Sequence, residues 1–181
     1  ILIGDKDKIN EKAQDIFTDL KKYDPLLDDR DGYSPGWKFN EWELKGIPIR
    51  IEIGPKDIEK KQIMLARRDT GDKKAVKITS LKKEIEKTLE DIQNSLFTKA
   101  KKFLEDNIVK VSYVNEFRDA IKGKKLVQVE WCGNKKCEEE IRELAKGVKS
   151  INMPLEQPEK VGKCFHCNEQ ACGLWYFAKS Y

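Results

Sequence analysis

Five cysteines constrain this chain more than any other feature. They stand at Cys132, Cys137, Cys164, Cys167 and Cys172, and the first 131 residues have none. "WCGNKKC" is a C-x4-C pair and "CFHC", 26 residues further on, is a C-x2-C pair. Two loops that each present two thiolates can close a tetrahedral zinc shell, and soft thiolate ligands favour zinc. An odd cysteine count in a Lys-rich chain argues against a disulfide framework. The pairing therefore predicts a structural Zn2+ held by Cys132, Cys137, Cys164 and Cys167. The competing reading is five small buried hydrophobes, since free cysteine packs well in cores. It leaves the pairing and the flanking Gly133, Asn134, Gly162 and Asn168 without a reason. Cys172 is the spare, expected in the core or beside the site. His166, inside the second pair, is the alternative fourth ligand. Four thiolates close the shell, so the metal is expected to supply folding energy and no chemistry.

Catalytic patterns are missing. The single His sits in the zinc knuckle, which leaves no free base for a Ser–His–Asp or Cys–His arrangement. There is no Walker loop and no G-x-G-x-x-G. The chain by itself is expected to catalyse nothing. Its net charge is +4, with 17 Lys/Arg against 16 Asp/Glu in residues 1–80 and 19 against 16 in residues 81–181. Neither half is a polycation, so a nucleic acid would have to meet a local patch. No run approaches the roughly 20 apolar residues of a spanning helix, so no membrane partner is expected. No signal peptide is visible, and the start at Ile1 reads as an excised piece of a larger protein.

The hydrophobic pattern gives the elements. Ile1–Ile3 reads as the end of a strand. Ile9, Ala13, Ile16, Phe17 and Leu20 recur at helical spacing and predict a helix of about five turns. "IPIRIEIG" alternates Ile47, Ile49, Ile51 and Ile53 with polar residues, a strand with one buried face. Two strands then flank the turn at residues 69–72. The length of 181 residues suits one or two domains. Residues 1–79 form an α/β domain with a mixed sheet. Residues 80–107 carry one apolar stripe through Leu81, Ile85, Leu89, Ile92, Leu96 and Leu104, and predict a long connector helix, with a coiled-coil dimer as the rival. Residues 108–181 alternate short helices and strands into a small α+β zinc-containing domain.

One helix poses a problem. In "SPGWKFNEWELKG" Ser34 is a good N-cap, Pro35 suits the first helical position and Gly46 the stop. At about 100° per residue, Trp37 and Leu44 share one face while Phe39 and Trp42 lie opposite. A surface helix needs only one apolar stripe. Nearby, Arg30 among Asp28, Asp29 and Asp31 reads as an ion-pair hub. Lys60, Lys61, Lys73 and Lys74 read as solvated faces.

Several of these stretches together carry a resemblance. "LDDRDGYSPGWKFNEWELKGIPIRIEIGPKD" (27–57), "RRDTG" (67–71), the two cysteine pairs and the terminal "YFAKSY" look like the C-terminal part of prolyl-tRNA synthetase, archaeal and eukaryotic type. The resemblance covers essentially the whole chain. It implies a class IIa anticodon-binding domain that reads the two guanines of the proline anticodon, and a partner, proline tRNA. It implies that ATP and Mg2+ act only in a catalytic domain absent here, which would attach proline to the tRNA, that the full enzyme is a cytoplasmic homodimer, and that the Tyr181 carboxylate reaches toward that catalytic domain. By the resemblance and by base chemistry, the tRNA-binding candidates are Trp37, Lys38, Phe39, Glu41, Lys45, Arg50, Lys56, Asp57 and Arg68. A carboxylate accepts the Watson–Crick N–H pair of guanine, Lys and Arg suit its O6 and N7, and aromatics stack on unpaired bases. The rival function is a zinc-stabilised protein-interaction scaffold without RNA readout. The interleaved charges and rings of 37–57 favour RNA over such a face.

Overall fold

The computed structural model describes residues 1–4 and 9–180. Tyr181, and with it the expectation for its carboxylate, lies outside the described residues. The chain divides into two compact units, Ile1–Thr98 and Lys99–Tyr181.

The first unit is built on strands β1 (Ile49–Glu52), β2 (Gln62–Arg67) and β3 (Lys73–Lys77), an antiparallel sheet in the order β1-β2-β3. Leu2 adds a parallel bridge to Ile53, which makes the arrangement mixed at that edge. Helix α1 (Asn10–Asp19) lays Ala13 and Ile16 on the core with Ile9 and Leu20. It is shorter than the expected five turns. A 3-10 turn at Lys21–Tyr23 follows, and Asp24 takes a left-handed φ of 49°. Pro25 comes next, and a residue before proline is pushed out of the helical region. Ile63, Leu65 and Val76 from the hairpin close the core with Leu81 and Ile85. At the turn, Gly71 (φ +76°) supplies the left-handed residue that a side chain would strain.

The β1 strand departs from clean alternation. Ile53 is buried as expected, but so is Glu52, at 6% exposure. The polar face of this strand is covered, because helix α2 (Pro35–Leu44) supplies Glu43 and Phe39 to Arg50. A short helix α3 (Pro55–Glu59) leads into β2. Helix α4 (Leu81–Asn107) is the long helix read from the stripe, but its buried positions stop at Ile92. Leu96, Phe97, Phe103 and Leu104 are exposed.

The second unit has a four-stranded mixed sheet in the order β4-β5-β7-β6, from β4 (Ile108–Lys110), β5 (Leu126–Trp131), β6 (Val148–Asn152) and β7 (Gly173–Lys179). Only β4 runs parallel to its neighbour. Strand β4 escapes a sequence reading because it follows α4 without a Gly or Pro break. Helices α5 (Val114–Lys122) and α6 (Lys135–Leu144) bury Phe117, Ile121, Cys137 and Ile141 against Val127, Val129, Trp131 and Phe177. Among the described residues, no helix is long and apolar enough to cross a membrane.

Candidate nucleic-acid interface and metal centre

Helix α2 begins as its sequence demands. The Ser34 hydroxyl accepts from the Trp37 backbone N–H at 3.3 Å, and Pro35 occupies the first turn. Its one buried residue is a surprise: it is Lys38, at 3% exposure, and not an aromatic. Lys38 Nζ donates to the Arg30 carbonyl at 2.6 Å and lies 3.3 Å from Asp28 Oδ1. Asp28, its side chain 1% exposed, also accepts from Arg30 Nε and Nη2 at 3.0 and 2.7 Å and from Trp42 Nε1 at 2.8 Å. Those Arg30 bonds outweigh burial and hold the Asp28 carboxyl well below the usual carboxylate range. Arg30 reaches on to Glu41, which also accepts from Lys45 Nζ at 2.7 Å. Arg30 and then Lys45 lower the Glu41 pKa. The expected Arg30 hub exists, and its partners include Asp28 and Glu41. A buried carboxylate with this many donors is satisfied, and removing it would strand the buried Lys38 ammonium.

The rings of α2 lie against cations. Trp37 is 45% exposed and stacks on Tyr33, 47% exposed, with centroids 4.2 Å apart. The Arg30 guanidinium lies 5.1 Å from Tyr33, 5.5 Å from Trp37 and 5.8 Å from Trp42. Lys45 sits 4.5 Å from Trp42. On the other side Arg50 is 4.0 Å and Lys73 5.0 Å from the Phe39 ring. Each such contact is worth about 0.5–2 kcal/mol, more as water is excluded. The two sets of cations cut across the faces expected from helical spacing: Trp42 joins Trp37 around Arg30, Phe39 alone meets Arg50 and Lys73, and Leu44 is left 89% exposed.

The sheet register explains the second set. Arg50 pairs with Ala66 and Ala66 with Lys73, so the two cations flank a small residue in one row. Both also bind Glu52, Arg50 Nε at 3.0 Å and Lys73 Nζ at 2.7 Å. Lys73 is therefore not a plain solvated face, and neither is Lys74, which pairs with Glu84 at 2.6 Å.

The sequence candidates sort accordingly. Trp37, Glu41 and Lys45 come together around Arg30. Phe39 and Arg50 share the second cation set. The exposed Arg68 lines a small cleft with Trp42, Glu43 and Arg50. Lys56 is exposed on α3, whose Asp57 carboxylate caps the helix by accepting from the Gly54 N–H at 3.1 Å. Lys38 is corrected: buried against Asp28, it presents nothing to a ligand. Tyr33 and Lys73 were missed. Tyr33 stands before the N-cap Ser34, so its stacking on Trp37 is a contact across the helix entry that helical spacing does not announce. Lys73 emerges only from the strand register.

The second unit gathers the four paired cysteines. The Sγ atoms of Cys132, Cys137, Cys164 and Cys167 all lie within 4.8 Å of one another. Cys137–Cys164 is 3.8 Å and Cys132–Cys167 is 3.6 Å. A tetrahedron of Zn–S bonds of about 2.3 Å has edges of about 3.8 Å, so the donor set fits a metal ion. Cys132 follows β5. Asn134, N-cap of α6, accepts from the Lys136 N–H at 2.8 Å and so sets the turn that places Cys137. Gly133 and Asn168, with φ of +72° and +59°, make the tight bends. Burial pushes the Cys137 thiol up. Burial acts the same way on Cys164, but the backbone N–H groups of Cys167 and His166 bring its net shift down. Such N–H groups favour a thiolate. His166 Nε2 lies 3.0 Å from Glu140 and is not in the set. Cys172 is exposed and lies beside Gly133, so of its two expected positions it takes the one neighbouring the site and not the core.

Residues 1–88 match the family model "Anticodon binding domain", and residues 114–181 match "Prolyl-tRNA synthetase, C-terminal". The chain belongs to the prolyl-tRNA synthetase family. Curated relatives include the Proline--tRNA ligase of Alkaliphilus oremlandii (strain OhILAs), 44% identical over 178 residues, which are 97% of this chain and 37% of the relative. That of Natranaerobius thermophilus is 42% identical over 90% of this chain and 34% of the relative. Proline--tRNA ligase 2 of Bacillus cereus (strain ATCC 10987 / NRS 248) is 40% identical over 97% and 37%. The chain spans little more than a third of the length of these relatives. Within the chain, the α2 face lies in the anticodon-binding match and the four cysteines lie in the C-terminal match.

Proposed function

We propose that the first unit reads the anticodon guanines of proline tRNA, for the ATP- and Mg2+-dependent attachment of proline by the catalytic part of a longer, cytoplasmic, homodimeric enzyme. The observation that carries this reading is the α2 face, where an exposed Tyr33–Trp37 stack stands beside a carboxylate already held by Arg30. A flipped-out base gains about 1–3 kcal/mol by stacking on such a ring. Glu41, kept ionised by Arg30 and Lys45, can exchange a lysine bond for the N–H pair of guanine. Lys45, Arg68 and Lys56 are free enough to reach O6, N7 or phosphate. Lys38 and Arg50 act at one remove, Lys38 by holding Asp28 and Arg50 by backing Phe39.

In the second unit the four cysteines hold Zn2+, and the soft, closed donor set argues for a structural role. We assign the anticodon-binding domain to residues 1–79, the connector to 80–107 and the zinc domain to 108–181. The test is binding of the chain to proline tRNA and to a copy with both anticodon guanines replaced. Loss of binding on replacement supports base readout. Equal binding that fades with salt would reduce the role to phosphate contact and overturn it.

A further inference from the structure

The sheet of the second unit turns one face to its helices. There α5 and α6 lay Phe117, Ile121 and Ile141 on Val127, Val129 and Phe177. Strand side chains alternate between faces, so Gln128 on β5 and Tyr176 on β7 point the other way. The register aligns this second face into a row across all four strands: Lys110 pairs with Gln128, Gln128 with Tyr176, and Tyr176 with Asn152. Asn152 reaches the row because the register slips between Ser150 and Asn152, and a bulge of this kind re-aims a side chain. At about 4.8 Å per strand the row is about 14 Å long. Beside it, Ile108 pairs with Leu126 and Ala178 with Lys149. The first three are half-buried and form an apolar floor, and Lys149 is exposed at its margin.

The groups on the row suit one kind of ligand. The Tyr176 hydroxyl accepts from Gln128 Nε2 at 3.3 Å and keeps its own proton to donate. Its ring is half-buried on an inner strand. Lys110 stands on one edge strand and Lys149 on the other, both exposed, and neither has an ion-pair partner among the described residues. Glu130 lies on the same face two residues along β5 from Gln128, where it accepts from the Gly162 N–H at 3.2 Å and bounds the cationic stretch. A protein-docking face gathers apolar area at its centre and sheds lysine. This row is polar in every strand and carries cations at both margins. Four-stranded sheets with helices on one face hold single-stranded RNA with such groups, a base stacked on an inner aromatic, amides on base edges and lysines on phosphate.

We propose that this face of the second unit is a second RNA-binding surface, which takes an unpaired stretch of tRNA with a base on Tyr176 and phosphates at Lys110 and Lys149. It rests on the reading that the chain binds proline tRNA, but not on how the anticodon is read.

The test is binding of the full chain to proline tRNA over a series of salt concentrations. The double variant Lys110→Ala, Lys149→Ala is expected to reduce the slope of log affinity against log salt by about 1.4, about 0.7 for each phosphate contact on a single strand. Tyr176→Leu is expected to weaken binding about tenfold, and Tyr176→Phe to keep the stack. Guanine preference at the anticodon should be unchanged in all of them. Both lysines are exposed, so the double variant should melt as the unsubstituted chain does and carries the test if Tyr176→Leu unfolds. Unchanged slope in the double variant, with unchanged affinity in folded Tyr176→Leu, would overturn the inference and leave this face to a protein contact. Guanine preference retained in that case would keep the anticodon reading intact. No binding of proline tRNA by the unsubstituted chain would overturn both.

Discussion

The two units solve the same problem, holding reactive polar groups in place, by opposite means. In the first unit, charges hold charges. Asp28 anchors Lys38, Arg30 and Trp42, and Arg30 passes the order on to Glu41 and the rings. Those partners on the rim are exchangeable, as a surface that must accept a nucleic acid requires. In the second unit, four thiols face each other against an apolar cluster, close enough to share one ion. Such a site rewards one ion and offers nothing to a larger ligand. The difference teaches that pre-paired charge can mark a binding face, while a closed soft donor set marks a staple.

The sharpest way to break the comparison is Cys164→Ser. Losing one of four ligands is expected to abolish metal uptake and the cooperative melting of the second unit, a change of several kcal/mol. The first unit should melt as before. Metal content and thermal circular dichroism check both halves of the statement. Full metal content with an unchanged curve would remove the staple.

Next in size is Asp28→Ala. It leaves Lys38 buried without its counter-ion, which costs about 3–5 kcal/mol, and urea titration should show it in the first unit only. The same carboxylate sets a pH dependence. Its folded pKa is depressed, so its stabilisation is complete above the unfolded value of about 4 and is lost as pH falls below it. In the variant this acid limb of the stability curve should flatten.

A smaller effect is expected from Trp37→Ala, about 1–3 kcal/mol in tRNA binding with little change in folding, because the ring is half exposed. Isothermal titration resolves it. Unchanged binding would take the stack out of the interface. The smallest is Lys56→Ala. If it meets phosphate, the slope of log affinity against log salt falls by about 0.7 with no change in guanine preference. An unaltered slope would make Lys56 a bystander.

How much of this could be read from the residues themselves differs between the units. The cysteine set was legible because metal geometry is local: two short spacings place four ligands whatever the rest of the chain does. The strands, the long α4 helix and the hairpin were legible from period and turn chemistry. The α2 face was legible only in part. Its rings were visible, but not what lay on them, because the cations come from a loop and from two strands. Arg50 and Lys73 meet over Phe39 only through the pairing of each with Ala66. The burial of Lys38 and Glu52 was hidden for the same reason: composition calls them surface residues, and only tertiary pairing makes their burial affordable. Strand β4 was hidden because three residues after a helix carry too little pattern to announce themselves.

The most direct test of the central claim is a cycle that combines Glu41→Ala with replacement of the anticodon guanines, read as tRNA binding to all four combinations. If Glu41 reads guanine, replacement weakens binding by about tenfold or more in the unsubstituted chain and adds almost nothing in the variant. Full discrimination retained by Glu41→Ala would contradict the account and move the readout elsewhere in the molecule.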